Sequence, residues 1–121
     1  MSVSPDQVRI AAKVLHLIEV NWQSFSVPTN EERAAEMGRS WARVMARFSW
    51  PEAVWVEAVD MALAEATSRS RPPMPGDLIR HGRAVMERIE ADPSRADGLR
   101  RWREERRARR DAWLEQVHKG S

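Results

Sequence analysis

Two pairs of side chains sit at spacings that put two metal-binding groups on one helix face: His16 and Glu19 at i, i+3, and Asp77 and His81 at i, i+4. A metal site takes three or four protein ligands with supporting partners, and each pair supplies two. Both pairs are therefore expected to be surface ion pairs, with no metal or cofactor. Glu31, Glu32 and Glu36 crowd the start of a helical pattern, where carboxylates complement the helix dipole rather than form a general-acid cluster. Cysteine is absent, which removes thiol catalysis, disulfides and the usual zinc sites together. The only lysines are Lys13 and Lys119, and neither follows a glycine-rich turn, so no P-loop is present. There is no Gly-x-Ser-x-Gly elbow and no dinucleotide fingerprint. No enzymatic activity is expected.

What remains is binding chemistry, and it is mostly arginine. The chain has 18 arginines against 2 lysines. Guanidinium groups make forked contacts with carboxylates and phosphates. The net charge of +2 hides a division: residues 1–94 carry 11 basic and 13 acidic side chains, and residues 95–121 carry 9 and 5. A near-neutral body thus ends in a basic tail. Within that tail Trp102, Arg106, Arg109, Arg110 and Trp113 are the expected partner-binding residues, the indoles as anchors and the arginines as contacts to carboxylates. The same set also suits stacking on bases and contact with phosphates, so nucleic acid is the alternative partner. A second row, Arg39, Arg43 and Arg47, is expected to be a solvated face rather than a phosphate-tracking surface.

The elements that position these residues are all helical; no strand alternation and no internal repeat occur. Ser4-Pro5-Asp6-Gln7 is a capping box, followed by Ile10, Ala11, Val14, Leu15, Leu17, Ile18 and Trp22 at helical spacing. Residues 21–28 read as a loop, with Phe25 and Val27 plugging the core. A second helix is expected after a Thr29/Glu32 box, with Met37, Trp41, Val44 and Phe48 as its apolar stripe. A Ser49/Glu52 box and Pro51 are expected to open a third helix that runs to about Ser68. That helix is apolar around most of its circumference, which marks a central position. A fourth helix starts at Pro75, with Asp77 in its first turn and Leu78, Gly82, Val85 and Ile89 as its stripe. Gly82 in mid-stripe implies that another helix approaches closely there. Residues 94–118 form a charged helix rich in i, i+4 ion pairs. The expected architecture is all-α: a compact four-helix body over 1–93 and a long charged C-terminal helix over 94–121. No apolar run reaches membrane-spanning length and no signal pattern opens the chain. A cytoplasmic location, without membrane contact, is expected.

Two joints separate the middle helices: Phe48-Ser49-Trp50-Pro51-Glu52 and Arg71-Pro72-Pro73-Met74-Pro75-Gly76-Asp77-Leu78-Ile79. Proline fixes φ and cannot continue a helix, so each joint sets an angle between its neighbours. With the loop ending at Pro28-Thr29 and Trp41 central in its helix, this order of pieces resembles the small helicase loader/inhibitor proteins of phages of Gram-positive bacteria. The resemblance spans about residues 5–91 and is sharpest at Trp41 and Arg71–Ile79. It implies a non-enzymatic adaptor in the cytoplasm of a bacterial host cell. Such an adaptor binds a hexameric replicative helicase, inhibits it, and helps deliver it to a phage origin. Trp41 itself reads as core and Pro72–Asp77 as a joint and cap, so these residues are not expected to contact the partner. Against this stands the alternative of a nucleic-acid-binding regulator that uses the Arg/Trp-rich C-terminal helix.

Overall fold

The computed structural model describes residues 3–22 and 25–119, so residues 23 and 24 of the expected 21–28 loop lie outside the described residues. The described residues are all-helical, with five helices in the order α1 (Pro5–Asn21), α2 (Glu31–Met45), α3 (Glu52–Arg69), α4 (Pro75–Ala91) and α5 (Pro93–Lys119). Among the described residues there is no strand. The chain divides into two compact units, Met1–Met86 and Glu87–Ser121, and the division falls within α4.

Local chemistry sets most of the helix ends. Ser4 caps α1 through the expected box: its hydroxyl accepts from the Gln7 N–H, and the Gln7 side chain accepts from the Ser4 N–H at 2.9 Å. The start of α2 differs from expectation. Asn30, not Thr29, is the N-cap, and its amide oxygen accepts from the backbone N–H of both Glu32 and Arg33. A single acceptor thus satisfies two of the four free N–H groups at the helix start, and Asn is among the best residues for that position. The Ser49/Glu52 box is also replaced. Pro51 is the N-cap of α3 and gives no side-chain cap, while the Glu52 carboxylate turns to Arg9 at 2.9 Å and Lys13 at 3.8 Å on α1. Asp92 opens α5 by accepting from the Ser94 N–H and hydroxyl, with Pro93 at the first helical position.

In the first unit, α1 packs against both α2 and α3. It contributes Ala11, Val14, Leu15 and Ile18 to the core. The buried line of α2 is Gly38, Trp41, Ala42 and Met45. This is rotated from the expected stripe: Met37, Val44 and Phe48 are only half-buried. The helix turns Gly38 and Ala42 inward beside Trp41 and Met45, while Met37 and Val44 cover the flanks. Trp41 is met edge-on by Phe25 at 6.3 Å, so Phe25 acts as the expected plug. On α3, Val54, Trp55, Ala58, Val59, Ala62 and Ala66 are buried, while Met61 is half-buried.

Gly82 makes a close contact, but not with a helix. A Cβ placed there would come 2.3 Å from a ring carbon of Trp50. That indole comes from the joint between α2 and α3. It lies between Phe48 and Trp55, each 4.7 Å away between ring centroids, and Arg83 of α4 covers Phe48. The first joint is therefore set by an aromatic stack seated on a glycine as much as by Pro51.

Candidate functional site

The second joint holds a charged web that spacing alone did not reveal. Ser70 ends α3 in the left-handed region at φ 56°, which turns the chain into Arg71-Pro72-Pro73. Pro73 is fully buried. Asp77, in the first turn of α4, accepts from the Met74 N–H at 2.9 Å and from both terminal nitrogens of Arg71 at 3.0 and 3.1 Å. From α3, Glu65 receives Arg80 and lies 2.9 Å from both Arg69 and the ring nitrogen of His81. Arg80 reaches Asp77 as well, at 3.5 Å, which links the two carboxylates. Partial burial pushes the Asp77 carboxyl up, but Arg71 and the Met74 N–H outweigh it and hold the group below the usual carboxylate range. The hydrogen bond from Arg80 holds Glu65 low in the same way.

This geometry explains the fate of the Asp77/His81 pair. The two side chains turn to different partners, Asp77 to Arg71 and His81 to Glu65. On α1, Glu19 accepts from the Val27 N–H and so pins the loop, while His16 is exposed. Among the described residues no three His, Asp or Glu side chains gather as metal ligands. The web is architectural: it ties α3 to α4 across the proline turn.

The five residues expected to bind a partner all lie on α5, in the second unit. Trp102, Arg106, Arg109 and Trp113 follow one another at i, i+4, i+7 and i+11, which sets them in one stripe along the helix. Arg110 flanks it. Trp102, Arg106 and Trp113 are half-buried, while Arg109 and Arg110 are exposed. The Arg106 guanidinium stands 5.6 Å from the centre of the Trp102 ring, a cation–π contact that holds both side chains along the stripe. Leu99, one turn before Trp102, is buried; past Trp113 the stripe runs out to Val117, 51% exposed, and Leu114, 41% exposed, lies to one side of it. Among the acidic side chains of α5, Glu105 borders the stripe, i+3 from Trp102 and i−4 from Arg109. Asp97, Glu104, Asp111 and Glu115 recur at i, i+7, i+14 and i+18 on a different face.

The result is a cationic face with apolar points at both ends. It suits an anionic partner that also has apolar sockets. No helix among the described residues is long and apolar enough to cross a membrane. Comparison with protein-family models, curated proteins and solved structures finds no match.

Proposed function

We propose that this chain is a non-enzymatic adaptor of the helicase loader/inhibitor kind, which grips a hexameric replicative helicase through α5. In this reading α1–α4 serve as a compact four-helix body and α5 as the long charged helix that carries the contact. Trp102 and Trp113 are the anchors; Arg106, Arg109 and Arg110 pair with carboxylates of the helicase. The adaptor makes and breaks no covalent bond. It acts by holding the helicase in check and delivering it to a phage origin in the cytoplasm of the host.

One observation carries the choice of a protein partner: the Trp–Arg stripe continues into the exposed aliphatic side chain of Val117, with Leu114 exposed beside it. Aliphatic groups fill pockets in proteins but do not stack on bases, whereas tryptophan and arginine serve both kinds of partner. The joints at 48–52 and 71–79, with their resemblance to the loader proteins, supply the identity of that partner.

The test is direct binding of the full chain to a purified replicative helicase hexamer of a Gram-positive host, with nuclease present and at moderate salt. The expected result is a stable complex with lowered unwinding. Trp102→Ala/Trp113→Ala should weaken it by roughly thirtyfold per indole, the size of a hot spot of about 2 kcal/mol, while the melting curve stays that of the parent. Absence of binding, or binding unaffected by the double substitution, sinks the reading. Affinity that instead falls log-linearly with salt, and only when nucleic acid is present, selects the alternative of a nucleic-acid regulator.

A further inference from the structure

Arg33 aside, which sits among Glu31, Glu32 and Glu36 at the start of α2, the arginines of the first unit fall into two groups. Those on α1, on α4 and around the 69–74 turn are occupied: Arg9 binds Glu52, Arg69 and Arg80 bind Glu65, Arg71 binds Asp77, and Arg83 lies over Phe48. Arg39 and Arg43 on α2, and Arg47 in the turn that follows it, differ. All three are exposed, and among the described residues none of their side chains makes an ion pair, hydrogen bond or ring contact. They stand at i, i+4 and i+8, where like charges repel and weaken a helix. The macrodipole favours a cation in the last turn, which accounts for Arg43 but not for Arg39 in mid-helix. Folding alone therefore gives no reason for the row.

We infer that Arg39, Arg43 and Arg47 form a second binding surface, separate from the α5 stripe, which tracks the sugar-phosphate backbone of nucleic acid without reading sequence. Charge and composition decide the occupant. Four residues of helix rise about 6 Å, so the row spans roughly 12 Å. That length covers three to four phosphates of one duplex strand at about 3.4 Å rise each. No large apolar side chain stands exposed on α2 or in the turn after it. A protein groove or a lipid surface would call for an apolar anchor in the contact. A phosphate backbone asks only for cations at intervals. The acidic side chains Glu31, Glu32 and Glu36 sit toward the other end of α2, which leaves its C-terminal half uniformly positive.

The test is binding of the full chain to labelled single-stranded and duplex DNA of mixed sequence, followed by fluorescence anisotropy from low to moderate salt. Three phosphate contacts make log K fall against log salt with a slope of about −2 on single strands to about −3 on duplex. On duplex, that part of the affinity drops roughly fortyfold between 50 and 200 mM salt. Arg39→Gln/Arg43→Gln/Arg47→Gln should flatten the slope by about 2 to 3, and the matching triple lysine variant should restore it. The glutamine variant should melt no lower than the parent, because a repulsive row has been removed, and should keep its helicase affinity. The inference is overturned if the parent shows no DNA binding at low salt, if the glutamine variant keeps the parental slope, or if lysine fails to restore it. Loss of binding to anionic phospholipid vesicles with DNA binding unchanged would assign the row to a membrane and also overturn it.

Discussion

Gly82 and Gly38 show how two glycines in helix interiors have opposite meanings. Each loses about 1 kcal/mol of helix propensity relative to alanine. At Gly82 the absence of a Cβ makes room for the Trp50 ring, which is held by Phe48 and Trp55 and has nowhere to move. Gly82→Ala should therefore destabilise the chain by ~1–3 kcal/mol despite its better propensity. Among the described residues outside its own turn of helix, nothing stands within 4 Å of where a Gly38 Cβ would lie, so Gly38→Ala should stabilise by up to ~1 kcal/mol. Urea denaturation of both variants checks the pair; a Gly82→Ala chain more stable than its parent would mean that the indole does not sit there. The sequence shows that Gly82 interrupts an apolar stripe and so signals close approach. It does not show by what, because Trp50 is distant in sequence and belongs to no helix pattern. Trp41, set in a regular stripe, was legible as core.

At the level of elements, helices were readable wherever apolar spacing was regular, and ends wherever a cap residue had no competitor. Ser4 had none; Thr29 lost to Asn30, and the Ser49/Glu52 box lost to Pro51 with Glu52 drawn to α1. The web across the α3–α4 joint was not readable, since Glu65 and Arg80 are fifteen residues apart and both look like surface charges. It gives the joint a dependence on acid. Arg80 and Arg71 hold the Glu65 and Asp77 carboxyls below their ordinary range. The stability they contribute is complete above the ordinary carboxylate values near ~4 and is lost as pH falls through the lower folded values. Melting temperature should stay level from neutral pH to about 5 and decline below about 4. Glu65→Gln/Asp77→Asn should lower it at neutral pH and make the acid decline shallower, as followed by circular dichroism. An acid decline of unchanged steepness in that variant would show that the web contributes nothing to the joint.

For the molecule as a whole, the all-helical class was legible because no segment alternates apolar and polar residues. The partner was not, because a cationic stripe with indoles at intervals specifies a chemistry and not an identity. Burial is shared unequally between the units: α1 and α3 contribute whole rows to the core, while Leu99 is the one buried residue of α5 among those described. Local opening follows burial, so amides of α5 after its first turns should exchange with solvent well before those of α1 and α3. Hydrogen exchange read by mass spectrometry checks this, and equal protection across the chain would contradict it. Helicase binding should then slow exchange along residues 99–117. The seating of Trp50 also leaves an optical trace. Its ring and that of Trp55 are 4.7 Å apart and inclined by 43°. Two indoles so close and so tilted share their excited states. The chain should therefore show a split ultraviolet band of opposite signs, which reports the first joint closed independently of helix content.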